Sequence, residues 1–261
     1  MKLTRCFLFF LLFVAGCTED NPVVPNELST VSLPLGRTWI YYWSSTIYDS
    51  GGVIRASMKD TFSVAVASVS DTVGSLKNLI RLEAVSLTQS GLKEKIWYSV
   101  SAEELREVAY YSPFGVIVVP GRADAVSPHH TRTLSFRLPY LIYQQNKWNS
   151  ILDSAIQRTD PRIVYRFPLI SGMEWVSFQV PFLQIRRVID VRSFDFGMGS
   201  KLHAVIRTTL DWAGPLHWYD YVAADGLMRR EITIDSLAIT SEQSPEIVRY
   251  GKAVEILEFI K

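Results

Sequence analysis

The sequence predicts a mainly β protein: a single curved antiparallel sheet or half-barrel, with one short helix near 147–157. Three observations point there. Apolar and polar residues alternate along several runs, as in strands with one face buried. Turn-forming pairs such as Asp49-Ser50-Gly51-Gly52, Ser90-Gly91, Pro120-Gly121, Ala213-Gly214-Pro215 and Asp225-Gly226 separate those runs. Apolar residues make up 48% of the 261, enough to fill a core and too many for a disordered chain.

The first element is an address. Lys2 and Arg5 are followed by an apolar run from Cys6 to Ala15, too short to span a bilayer but suited to a secretory signal. The run ends in Val14-Ala15-Gly16-Cys17, which resembles the bacterial lipobox. The resemblance implies cleavage after residue 16, acylation of Cys17 and a membrane partner reached through that lipid. Each acyl CH₂ buried is worth roughly 0.8 kcal/mol, so two or three chains anchor without a helix. Cleavage removes Lys2, Arg5 and Cys6, shifting the net charge from +1 to −1 and leaving no free thiol. Thr18 stands where lipoproteins kept at the inner membrane tend to carry Asp, so the expected destination is the outer membrane. The expected organisation is a signal peptide over 1–16, a lipidated tether over 17–30 and a β domain over 31–261. Asn21 to Thr30 carries two prolines and little periodicity, as a tether does.

In the β domain, Trp39, Tyr41 and Trp43 share one face of a strand, while Ile40 and Tyr42 take the other. A strand apolar on both faces is buried on both, or lines a cavity. Phe62, Val64 and Val66 form a second alternating set, and Ile96, Tyr98 and Val100 a third. The longest pattern sets Leu202, Ala204, Ile206 and Leu210 inward against His203, Arg207 and Asp211, which are expected to meet water. About ten or eleven strands are expected, mostly joined as hairpins. One stretch departs from period two: Trp148, Ile151, Leu152, Ala155 and Ile156 recur at helical spacing ahead of Pro161.

A phrase recurs. Leu33-Pro34-Leu35-Gly36-Arg37-Thr38-Trp39 is echoed by Phe167-Pro168-Leu169-Ile170-Ser171-Gly172-Met173-Glu174-Trp175. In each, Pro ends earlier pairing, Gly allows a turn with φ > 0, and Trp pins the strand that follows. Two such strand starts suggest two similar sheet halves. Together with a late Trp218 to Arg230 strand phrase, they resemble a family of Gram-negative envelope lipoproteins. The first copy is two residues shorter than the family pattern, and the late phrase lacks its second Gly. The resemblance implies a curved sheet similar to half-barrels that carry lipoproteins or lipids, and it brings no catalytic residues.

Near-neutral charge excludes the basic footprint of a nucleic-acid binder. No Gly-x-Ser-x-Gly, His-Glu-x-x-His, P-loop or Cys-x-x-Cys motif occurs, and Gly197-Met198-Gly199 reads as a hairpin turn rather than a nucleotide loop. Adjacent His129 and His130 point apart and make a poor chelate, so no metal and no cofactor are expected. His203 reads as solvated, His217 as part of a packing ladder with Tyr219 and Tyr221, and Glu103-Glu104 as solvated turn charge. The expectation is a non-enzymatic outer-membrane lipoprotein with a structural or binding role, its partner a hydrophobic ligand or an envelope protein. A half-barrel carrier of acyl chains is the first alternative. A surface glycan-binding module or hydrolase is the second. Apolar ligand-facing candidates are Trp39, Tyr41, Trp43, Leu202, Ala204, Ile206 and Leu210.

Overall fold

The computed structural model describes residues 27–88, 93–111, 155–179, 183–211, 215–241 and 244–260. After a short β1 (Glu27–Leu28), alternation sets up a six-stranded meander. Its members are β2 (Thr38–Tyr48), β3 (Ile54–Val73), β4 (Leu76–Ser86), β5 (Lys93–Val100), β6 (Glu104–Tyr111) and β7 (Ile156–Arg166). A two-residue β8 (Leu169–Ile170) pairs with β1. A second meander follows: β9 (Glu174–Phe178), β10 (Gln184–Asp195), β11 (Ser200–Asp211), β12 (Pro215–Ala223), β13 (Gly226–Ser241) and β14 (Ser244–Phe259).

The meanders join through β2 and β14 into one twelve-stranded antiparallel sheet, from β7 at one edge to β9 at the other. The sheet curls until these edges lie side by side. They share no backbone ladder. Instead Trp175 Nε1 and Ser177 Oγ donate to the Ile163 carbonyl at 3.2 and 2.6 Å, and Arg186 Nη1 donates to the Val164 carbonyl at 2.6 Å. The expected curved sheet is therefore a nearly closed barrel.

The two halves repeat each other. At the first strand start, Arg37 N–H closes a turn on Pro34, Gly36 N–H donates to Val66 and Val66 N–H returns to Arg37. At the second, Met173, Ile170, Gly172 and Val188 make the same three bonds. Gly36 and Gly172 have φ of 80° and 85°, a conformation that would strain a residue with a Cβ. Both valines precede a register shift, at Val66/Ser68 and Val188/Asp190. A further shift recurs at Trp97/Tyr98 in the first half and Tyr221/Val222 in the second. The register thus matches Val64 with Arg186, Leu82 with Ile206, and Ile96 with Asp220. The similar halves expected from the phrase are present in the hydrogen bonds.

Alternation places Trp39, Tyr41, Trp43, Phe62, Val64, Val66, Ala204 and Ile206 in one interior core. The outward side of β5 and β6 is covered too. The long β3–β4 hairpin curls over it, so Leu79 packs with Trp97, Val108 and Ala109, and Asp71 accepts from Trp97 Nε1 at 2.8 Å. Elsewhere the outer surface carries ion pairs, including Arg229 with Glu231 and Glu258, and Arg81 with Asp71 and Glu83.

Several expectations need correction. Fourteen strands occur among the described residues, more than the ten or eleven expected, because β1 and β8 are too short to show a period and the start of β7 read as helix. Residues 147–154 of the expected helix lie outside the described residues, but its last two positions belong to strand β7. Pro161 falls inside β7. It is tolerated because β7 is an edge strand and no register pair with β6 involves residues 158 to 161. Chain expected in the tether already carries β1, and Leu28 is buried in the core.

Candidate functional site

Strand alternation brings charge as well as hydrocarbon inward. On β12, Trp218, Asp220 and Val222 share the inner face with no exposure at all. On β13 the register sets Arg230 opposite Asp220. Its Nε reaches Oδ1 at 2.5 Å and its Nη2 reaches Oδ2 at 2.9 Å, a two-pronged charge-assisted pair. Arg186 of β10 approaches Oδ2 at 3.5 Å. Burial would raise the Asp220 carboxyl, but Arg230, Arg186 and Arg162 hold it below the ordinary carboxylate range. Burial draws the Arg186 guanidinium down to about 10 against the pull of Asp220. Tyr165, its ring 5.7 Å from that guanidinium, is pushed up to about 12 by burial and by Asp220.

A second pair abuts the first. Glu107 of β6 accepts from Arg158 at 2.9 Å, and Arg162 of β7 stands 3.7 Å from its other oxygen. Tyr41 donates its hydroxyl to the Leu227 carbonyl at 2.8 Å, and burial raises its pKa well above the ordinary phenol range. Farther along the inner wall, burial pushes the Glu255 carboxyl up to about 8. Trp43 faces that carboxyl, yet Trp43 Nε1 and Glu255 Oε1 fall short of a hydrogen bond and neither has another partner. Arg186 Nε, Gln184 Oε1, Thr208 Oγ1 and Trp218 Nε1 are also buried without a partner.

Between this polar floor and one mouth of the barrel lies a cavity of about 110 Å³. Glu107, Arg162, Arg230 and Tyr165 bound it below. Val64, Leu82, Ile96, Leu105 and Val164 form its walls, and Val31, Leu33, Trp39 and Gly226 cover it. The cover belongs to the segment leading into β2. That segment is held by the β1–β8 pairing and by Ser32 N–H donating to Ala224 at 2.8 Å. Trp39 Nε1 fixes its end by donating to the Asp225 carbonyl at 2.7 Å. A depression of about 720 Å³ beside Tyr48, Asp49 and Lys252 is open to solvent.

Of the expected ligand-facing residues, Trp39 and Tyr41 line the cavity. Trp43, Ala204, Ile206 and Leu210 are buried but stand away from it, and Leu202 is half-buried against the core. Cys17, His129 and His130 lie outside the described residues. His203 is not solvated: it is 2% exposed, edge-on to Phe194 and Phe196, which also meet Tyr221, on the outer face. Its Nδ1–H donates to the Lys201 carbonyl at 2.6 Å, and burial lowers its pKa. Glu104, expected in a solvated turn, is buried and clasped by Arg106 and Arg166. His217 meets Thr209 across the strand at 2.9 Å, as a ladder requires. Gly197-Met198-Gly199 caps the β10–β11 hairpin, where Asp195 Oδ1 accepts from both glycine amides. Among the described residues no three His, Cys, Asp or Glu side chains converge as a metal site would need.

The floor residues Asp220, Arg230, Arg186, Arg162 and Glu107 escaped the sequence reading. A signal existed, since Asp220 shares its strand face with Trp218 and Val222, and Arg186 lies between Gln184 and Val188. A charge on an otherwise buried face marks a paired interior site.

No family model matches the chain, and no curated protein matches it. Among solved structures, the chain is similar to one described as a "putative lipoprotein from Parabacteroides distasonis ATCC 8503". The identity is 14%, the match covers 88% of this chain and 97% of that one, and the TM-score is 0.34.

Proposed function

We propose that this chain is a lipid-anchored envelope protein, held at the outer membrane through acylated Cys17, whose barrel is a binding body and not an enzyme. The observation that carries the reading is the interior. It is a nearly closed barrel whose interior cavity, partly open at one mouth, measures about 110 Å³ over a floor of paired charges. Pockets for drug-sized ligands run to roughly 300–1,000 Å³, and a long acyl chain fits worse in this interior than a small ligand does. The half-barrel carrier is therefore the weaker reading, although the apolar walls suit hydrocarbon. The ion pairs of the outer surface support a domain displayed beside the bilayer. The Val14-Ala15-Gly16-Cys17 motif supports the anchor, and Thr18 supports the outer membrane as its place.

Two measurements test this. Cys17→Ser should abolish metabolic labelling with palmitate and release the chain from the membrane fraction. Retained membrane association would remove the anchor. The purified barrel should show no saturable uptake of a fluorescent long-chain fatty acid, and saturable uptake would restore the carrier.

A further inference from the structure

The strap that roofs the cavity, residues 27–33, has a counterpart in the second half that is fastened differently. Counting back from the turn that both strand starts share, Leu33 matches Leu169 and Val31 matches Phe167. The matched residues of the second half run straight on from β7, which is laddered to β6 as far as Arg166, and Leu169 has no exposure at all. The strap stands outside the twelve-stranded sheet. Its backbone is tied by the two β1–β8 pairs and by Ser32 N–H donating to Ala224. Leu28 and Val31 are buried and Leu33 is half-buried, but Ser29, Thr30 and Ser32 among them are exposed. Such a segment opens locally at lower cost than the sheet beneath it. Where the second half seats Phe167, the first seats the smaller Val31, with the 110 Å³ cavity under it.

We propose that the strap is a removable plug in a binding site for an uncharged, hydrocarbon-rich ligand, with Val31 and Leu33 standing in the ligand's place while the plug is seated. Withdrawing them frees the volume of seven side-chain carbons, each about the size of a ~30 Å³ water. The space then reaches roughly 300 Å³, the lower end of the range for drug-sized ligands. The walls that the ligand meets are Val64, Leu82, Ile96, Leu105 and Val164. Their burial favours hydrocarbon. On the floor Glu107 stands beside Arg162 and Asp220 pairs with Arg230, so a charged head of either sign meets a like charge there. Tension between an anchor at Cys17 and the barrel reaches the strap before any strand of the twelve-stranded sheet. The inference rests on the reading of the chain as an anchored binding body and adds what opens its site.

The probe is N-phenyl-1-naphthylamine, an uncharged three-ring dye that fluoresces in apolar surroundings and is too large for the closed cavity. The protein is the full chain carrying Cys6→Ser and Cys17→Ser, since an acyl chain would itself take up the dye. This parent should show no saturable uptake. Val31→Asp, which sets a charge where the strap is buried, should take up one dye per chain at least tenfold more tightly than the parent, with unchanged near-UV circular dichroism. Adding Leu82→Trp should fill the site and abolish that uptake. Adding Glu27→Cys and Ile170→Cys across the opposed β1–β8 pair should, when oxidised, return uptake to the parent's level, and reduction should restore it. In the parent the Ser32 amide should exchange at least tenfold faster than the Val66 amide, a measurement that needs no change in the strap. The proposal is overturned if the folded Val31→Asp chain takes up no dye, or if the parent takes it up as tightly. It is also overturned if uptake survives the folded Leu82→Trp variant or the oxidised cross-link, or if Ser32 is protected as long as Val66. All of these readings concern the barrel without lipid. Their failure leaves Cys17-dependent anchoring standing, and membrane association that survives Cys17→Ser removes the anchor without touching the plug.

Discussion

Glu255 shows how one buried side chain couples the fold to pH. Burial raises its carboxyl from 4.5 to about 8, while in the unfolded chain it ionises near its ordinary value. Between those values the unfolded chain gives up a proton that the fold retains. Stability from this group is complete below about 4.5, falls as pH rises to about 8 and is level above, with a slope near 1.4 kcal/mol per pH unit. Glu255→Gln should flatten that decline and be more stable than the parent above about pH 8. Urea melts of both proteins between about pH 5 and about pH 9 check it, and a difference independent of pH would discard the assignment. Asp220 works in the opposite sense. Its carboxyl is held low by Arg230, so its contribution is present above the ordinary carboxylate range and is lost as pH falls through its folded pKa. The paired tryptophans are a second test at this scale. Trp39 and Trp175 are each 3% exposed and each donates an indole N–H to a backbone carbonyl. Truncating either to Ala should cost roughly 3–5 kcal/mol, read as a shift of the unfolding midpoint. A loss below about 1 kcal/mol at either site would refute its role as a strand anchor.

Among the elements, the two edges that close the barrel are unequal. β2 and β14 are laddered from Tyr48↔Lys252 to Tyr41↔Phe259, whereas β7 and β9 are bridged by side chains alone. Amides of β7 and β9 that face the bridge have no ladder partner among the described residues. In hydrogen exchange they should lose protection at least tenfold faster than β2–β14 amides, and Ser177→Ala should widen the gap. Equal protection around the barrel would contradict this. The elements also differ in how far sequence betrayed them. β2 and β11 were legible because one face of each is nearly all apolar. The two Trp-bearing starts were legible because Pro, Gly and Trp each have a separate backbone reason to be there. β7 was not. Apolar residues at helical spacing run into its first residues, and its central Asp160-Pro161 lies where pairing with β6 lapses. His203 was misjudged because alternation assigns a face but does not reveal that Phe194 and Phe196 cover it.

In the whole molecule the repeat explains where the polar floor came from. The position held by Val64 in the first half holds Arg186 in the second, and the position of Ile96 holds Asp220. At these two places the first half supplies hydrocarbon and the second charge, while Glu107 and Arg162 of the first half complete the floor. The cavity lies against the first half's walls and above the floor. This division was invisible in sequence because the halves share backbone devices, not side chains. The site itself was legible only at Trp39 and Tyr41, since a charge pairing such as Asp220 with Arg230 depends on which strands become neighbours. The pairing of β2 with β14 also bears on how the chain comes to be folded. Hairpins between successive strands can form as soon as both strands exist, so each meander assembles from local contacts. The partner of β2 follows every other described strand in sequence, with Tyr41 paired to Phe259. Until that pairing forms, β2 presents an open edge bearing Trp39, Tyr41 and Trp43, the kind of edge that pairs with the wrong chain. Joining the halves thus depends on the longest-range pairing of the sheet, and a polypeptide lacking β14 would leave that edge open to aggregation.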